Sequence, residues 1–126
     1  MNYNWSDYTV LIVDDEPMII DFFREVLSLT KINMLFVDNG NKAINIIKQH
    51  NDIDIVLLDI RMPEINGFEV FKKIKELRPK LPVIAQTAYA FSDDIEMVKS
   101  AGFDDYICKP ISNDLLCQKI EAMLKK

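Results

Sequence analysis

The chain has 126 residues, is 49% hydrophobic and carries 15 Lys and Arg against 20 Asp and Glu, a net charge of −5 with its one histidine neutral. One domain fits that length, and a chain of this size buries about two-thirds of its unfolded surface, so a core can form without disulfides or a structural metal. The acidic balance argues against direct nucleic-acid binding, and no apolar run approaches the roughly 20 residues of a membrane span.

Cys108 and Cys117 form no CxxC pair and His50 is the sole histidine, which leaves too few soft ligands for a zinc site and fits a reducing compartment. The first residues lack the basic start and apolar stretch of a secretory signal. The expectation is a soluble domain facing the cytoplasm, on its own or as the cytoplasmic portion of a larger membrane protein.

Residues 1–8 read as a leader. Trp5, the only tryptophan, marks it as either a docked arm or a linker remnant, and the linker remnant is the preferred reading. From Thr9 onward, apolar β-branched runs alternate with helical spacing. Val10–Val13 reads as a strand, followed by Ile19, Phe22, Phe23 and Val26 on one helical face. Met34–Val37 is the second strand, and Ala43, Ile44 and Ile47 mark a helix closed at the surface by His50. Ile53–Leu58 is the third, followed by Val70, Phe71 and Ile74, with Lys72, Lys73, Lys75 and Arg78 as the solvated face. Pro82–Ala85 is the fourth. The helix over Ser92–Ala101 has only Ile95 and Val98 in phase, so it is expected to be loosely packed. Tyr106–Cys108 is the fifth strand, and Leu116, Ile120, Met123 and Leu124 the last helix. Strand and helix alternate five times, which implies an α/β, doubly wound parallel sheet with helices on both faces.

In such a sheet, ligands gather at the carboxyl ends of the strands. The first strand ends in Asp14-Asp15-Glu16, the third in Asp59, the fourth in Gln86-Thr87 and the fifth in Lys109-Pro110. Clustered carboxylates repel and drive one another's pKa upward unless a cation joins them. Mg²⁺ suits the site because it takes oxygen ligands and needs only one or two carboxylates. With Lys109 opposite the metal, a phosphoryl group could be gripped from two sides while Asp59 attacks and Thr87 hydrogen-bonds a phosphoryl oxygen. Taken singly, Asp14 or Asp15 is an ordinary helix cap, Lys109 a solvated charge and Thr87 the start of the next helix. Only their coincidence at one edge favours chemistry.

Leu11-Ile12-Val13-Asp14-Asp15-Glu16-Pro17, Leu57 to Gly67, Gln86-Thr87-Ala88 and Tyr106-Ile107-Cys108-Lys109-Pro110 resemble the receiver domain of bacterial two-component response regulators. The resemblance spans 9–126, with every motif in order. It implies a single (βα)5 flavodoxin-like domain of strand order 2-1-3-4-5. Asp59 is then the phosphoacceptor, taking its phosphoryl group from a histidine kinase or histidine phosphotransfer domain. Mg²⁺ would be held by the carboxylates of Asp15 and Asp59, by the Arg61 carbonyl and, through water, by Asp14. Thr87 and Lys109 would ligate the phosphoryl oxygens, and Lys109-Pro110 would be cis. Tyr106 holds the switch-aromatic position, its ring turning inward as Thr87 moves, so that a fused or separate output partner is controlled.

The domain would then catalyse its own phosphotransfer. Arg61 and Tyr89 flank the path of attacking water and imply slow self-dephosphorylation. The leader and Gln86 to Ala90 are similar to those of receivers in hybrid sensor histidine kinases. A flavin carrier is disfavoured by the acids after the first strand, and a dehalogenase-like phosphatase by Arg61 where a second acid belongs. The remaining rival is a receiver-like interaction module that works without phosphorylation.

Overall fold

The computed structural model describes residues 3–62, 65–87 and 93–125. Five strands alternate with five helices: β1 (Thr9–Val13), α1 (Pro17–Ser28), β2 (Asn33–Val37), α2 (Gly40–Gln49), β3 (Ile55–Asp59), α3 (Gly67–Leu77), β4 (Val83–Thr87), α4 (Asp94–Ala101), β5 (Asp105–Cys108) and α5 (Asn113–Leu124). All pairings are parallel and the strand order is β2-β1-β3-β4-β5. The doubly wound architecture follows from the sequence pattern. β1, β3 and β4 are buried along their whole length because helices cover both faces.

Side chains alternate across the sheet. Val10, Ile12, Ile55, Leu57, Ile84 and Ile107 face α1 and α5, where they meet Phe23, Leu27, Leu116 and Ile120. Leu11, Val13, Val56, Leu58 and Val83 face α2 and α3, where they meet Ala43, Ile47, Val70 and Ile74. A smaller cluster of Ile60, Ala85 and Val98 lies under α4. In α4 the buried residues are Asp94 and Val98, so this helix is the thinly packed one that the phasing predicts.

Three sequence expectations are corrected. The leader is docked: Trp5 is buried, its amide donates to the Thr30 carbonyl at 2.7 Å and its ring joins the α1–α5 core. Asn33 Nδ2 secures the arm further by donating to the carbonyls of Ser6 and Tyr8. A large ring over an open end of the core buries apolar area that a free linker would leave wet. Lys75 and Arg78 are not solvated charges. Lys75 Nζ reaches the Leu81 carbonyl at 2.7 Å and Asp104 at 2.9 Å, and Arg78 donates to the Ile53 carbonyl at 2.9 Å. Both satisfy backbone acceptors at the amino ends of β3 and β4. The third strand begins at Ile55 instead of Ile53, and the fourth continues to Thr87.

Candidate functional site

The order β1-β3 at the sheet centre carries the chain to helices on opposite faces, and the cleft above this switch point is where the strand-end residues converge. Val13 pairs with Leu58 and Asp59 pairs with Gln86, which sets the acidic turn after β1 beside Asp59. Carboxylate oxygens of Asp14, Asp15 and Asp59 lie within 4.8 Å of one another. Asp14 is fully buried, Asp59 is 3% exposed and Asp15 is exposed. The Asp14 carboxylate accepts from the Glu16 amide at 2.9 Å, and Asp59 accepts from the Arg61 amide at 2.9 Å.

Lys109 leans over this group from the end of β5. Its Nζ is 3.9 Å from Asp14 Oδ2, 3.9 Å from Asp59 Oδ2 and 3.6 Å from Glu16 Oε1. These separations exceed hydrogen-bond length, so Lys109 supplies field without neutralising any one carboxylate. Burial, reinforced by the charges of Asp14 and Asp15, pushes the Asp59 pKa up from 3.8 to about 6, against the Arg61 amide and Lys109. Burial likewise raises Asp14. Asp14 Oδ2 has no hydrogen-bond partner among the described residues. A buried orphan oxygen beside two further carboxylates is a donor set that fits a hard oxygen-seeking cation such as Mg²⁺.

Thr87 is fully buried, and its hydroxyl donates to Cys108 Sγ at 3.3 Å and approaches the Ile107 carbonyl at 3.5 Å. Its own carbonyl accepts from the Lys109 amide at 3.0 Å, tying the ends of β4 and β5 together. The Lys109-Pro110 bond is cis, as the sequence resemblance predicts. Tyr106 is half-buried, with Lys119 Nζ 4.9 Å and Lys99 Nζ 5.7 Å from its ring centroid. Gln86 is buried with both amide atoms lacking a partner among the described residues. Tyr89, Pro63 and Glu64 lie outside the described residues.

One residue that the sequence reading missed is Asp94. Its carboxylate, only 4% exposed, receives both the Nε and the Nη2 of Arg61, with Nε at 3.1 Å. Nothing in the spacing announces this pair, because the partners stand 33 positions apart with α3 and β4 between them.

Residues 10–121 match the response regulator receiver domain family. The chain belongs to that family. This receiver domain is 35% identical over 119 residues to the polar-differentiation response regulator DivK of Brucella anthropi, covering 92% of this chain and 95% of DivK. It is 38% identical over 120 residues to a cyclic di-GMP phosphodiesterase of Thermotoga maritima, covering 93% of this chain but spanning only 31% of that enzyme. Among solved structures, it is similar to the receiver domain of a Pseudomonas aeruginosa sensor histidine kinase that has a magnesium ion coordinated in its active site cleft. That likeness has a TM-score of 0.87 and 25% identity, covering 94% of this chain and 98% of the other. The fold and strand order are those of response regulators, and among the described residues no helix is long and apolar enough to cross a membrane.

Proposed function

We propose that Asp59 is the phosphoacceptor of a two-component phosphorelay, taking a phosphoryl group from a phosphohistidine on a histidine kinase or phosphotransfer domain. The observation that carries this reading is the buried Asp59 carboxylate set between a converging acidic pair and the Lys109 ammonium at the sheet's functional edge.

The chemistry is an in-line displacement. An Asp59 oxygen forms a bond to phosphorus as the P–N bond breaks, and the electron pair leaves on the imidazole. Asp15 and Asp59 would hold Mg²⁺ with their carboxylates, aided by the Arg61 carbonyl and by Asp14 through water. The ion would supply charge neutralisation on the transferring group. Lys109 already lies within 4 Å of Asp59 and needs little movement to meet a phosphoryl oxygen. Thr87 would reach a second oxygen by leaving Cys108 and Ile107. Because its carbonyl is bonded to the Lys109 amide, that movement passes from β4 to β5 and so to Tyr106. The Arg61 amide fixes one Asp59 oxygen, which leaves the other as the attacking atom.

The same proposal places the receiver at 9–126, its docked leader at 1–8 and the domain in the cytoplasm, with a partner or fused domain reading the switch. DivK matches nearly its whole length, whereas the Pseudomonas neighbour is part of a sensor histidine kinase. A hybrid kinase parent, favoured by the leader and the segment after β4, is tested by the coding sequence on either side.

The direct test is incubation with acetyl phosphate and Mg²⁺ followed by intact-mass measurement. One phosphoryl group is expected on the wild type and none on Asp59→Asn. A folded wild type that gains no mass points instead to an interaction module working without phosphorylation.

A further inference from the structure

We infer that the Arg61–Asp94 ion pair is a resting-state latch between the phosphorylation loop and α4, and that a phosphoryl group on Asp59 opens it by competing for the Arg61 guanidinium. The inference rests on Asp59 being the acceptor.

The geometry places Arg61 at the junction of the two sites. Its backbone amide donates to Asp59 Oδ1 at 2.9 Å, so its Cα sits beside the carboxylate that would be modified. Its side chain turns away from that carboxylate and grips Asp94 through both Nε and Nη2. Two parallel N–H···O bonds to one carboxylate make the most directional pairing an arginine can form. The two partners are unequally placed. The Asp94 side chain is 4% exposed and the Arg61 side chain 69% exposed, so the aspartate depends on the arginine while the arginine remains free to swing through solvent.

Asp94 opens α4, and the rest of that helix has little else to hold it. Among the described residues, only Asp94 and Val98 of this helix are buried and no side chain caps its N-terminus, while Asp93 before it adopts helical backbone angles without a capping bond. Lys99 contributes a 5.7 Å approach to the Tyr106 ring. Release of Asp94 therefore leaves Val98, packed with Ile60 and Ala85, as the one fully buried side chain of α4 among the described residues, beside half-buried Ile95 and the Lys99 ring contact.

Phosphorylation reverses the competition. The unmodified Asp59 carboxylate already spends one oxygen on the Arg61 amide. A phosphoryl group adds further negative charge and three strong acceptors within a side chain's reach of the same residue, a better partner for a guanidinium than one carboxylate. Asp94 is a positioning residue in this scheme, not a catalytic one. Its affinity for Arg61 opposes phosphorylation, and by reciprocity phosphorylation weakens its hold on α4.

The experiment is a double-mutant cycle on the full chain with Asp94→Asn, Arg61→Ala and the double variant. It reads the apparent dissociation constant of beryllofluoride, a stand-in for the phosphoryl group, in the presence of Mg²⁺, and the amide hydrogen exchange of 94–101. Asp94→Asn is expected to bind beryllofluoride about three- to tenfold more tightly than wild type, because Arg61 no longer has to be withdrawn from a charged partner. In the Arg61→Ala background the same change is expected to have no effect. Exchange in α4 should rise on beryllofluoride binding in wild type and be high from the outset in Arg61→Ala. Equal beryllofluoride affinity in wild type and Asp94→Asn, or a shift of the same size with Arg61 absent, would overturn the latch. If Asp94→Asn does not fold, the exchange comparison between wild type and Arg61→Ala decides alone: α4 equally protected in both, with and without beryllofluoride, also sinks it. A wild type that fails to bind beryllofluoride overturns the acceptor reading itself, and the latch with it.

Discussion

Asp59 is held where its charged form is costly. Its pKa is raised from 3.8 to about 6, chiefly by burial and then by Asp14 and Asp15. A folded-state pKa above the unfolded one means that the proton is bound more tightly in the native protein. The associated stability is complete below about pH 4 and is lost as pH rises through about 6. For the metal-free protein this residue alone removes about 3 kcal/mol over its whole titration, from well below pH 4 to well above pH 6, an order-of-magnitude figure, and Asp14 acts in the same sense. Asp59→Asn should therefore be more stable than wild type near neutral pH in the presence of a chelator, and the two should converge near pH 4. Urea denaturation at both pH values checks this, and an equal decline in the two proteins counts against it. Gln86, next to Asp59 in the β4 register, makes a related case at lower stakes. Its buried amide has no partner among the described residues, so Gln86→Met is expected to raise the unfolding free energy by about 1–3 kcal/mol.

At the scale of elements, the alternation of short apolar strands with amphipathic helices was legible because β1, β3 and β4 are buried on both faces and every helix but α4 shows an apolar stripe. Its limits were at the edges. Ile53 is fully buried yet precedes β3, since burial does not require ladder pairing, and Gln86-Thr87 belongs to β4 although it is polar, because the site needs polar groups where that strand ends. The docking of Trp5 could not be read from a segment without periodicity; what shows it is the burial of its ring in the core cluster that α1 and α5 supply and the bond from its amide to the Thr30 carbonyl. Trp5→Ala is expected to cost about 2–4 kcal/mol in unfolding free energy, followed by circular dichroism because the only tryptophan is removed. Gly67 serves the turn from β3 into α3. A Cβ there would lie 2.3 Å from Ile60 Cα and 2.9 Å from the Asp59 carbonyl, so even Gly67→Ala must push the backbone that carries Asp59. A loss of about 1–3 kcal/mol together with slower uptake of phosphoryl from acetyl phosphate is the expected result. A stability loss with unchanged uptake would show that the turn supports the fold without positioning Asp59.

Across the whole molecule, two apolar layers secure a sheet whose carboxyl edge concentrates mutual repulsion. The convergence of Asp14, Asp15, Asp59 and Lys109 could be anticipated from sequence because strand ends in a parallel sheet share one edge, and Thr87 ends β4 on that same edge. Asp94 could not, since it enters through the first turn of a helix whose position depends on packing. The price of this edge is paid in the absence of a cation, because Lys109 stays beyond hydrogen-bond distance of every acid it faces. Mg²⁺ binding should therefore stabilise the entire fold. At a free concentration one hundred times its dissociation constant, linkage gives about 2.7 kcal/mol, visible as a rise in thermal midpoint. Protons compete for the same oxygens, so at any one Mg²⁺ concentration below saturation at pH 5 the rise should be smaller at about pH 5 than at about pH 7.5. It should be largely lost in Asp59→Asn, which leaves Asp14 and Asp15 as the remaining acids of the cluster. An equal rise in Asp59→Asn would place the cation elsewhere on this acidic surface and remove the electrostatic basis for phosphoryl transfer at Asp59.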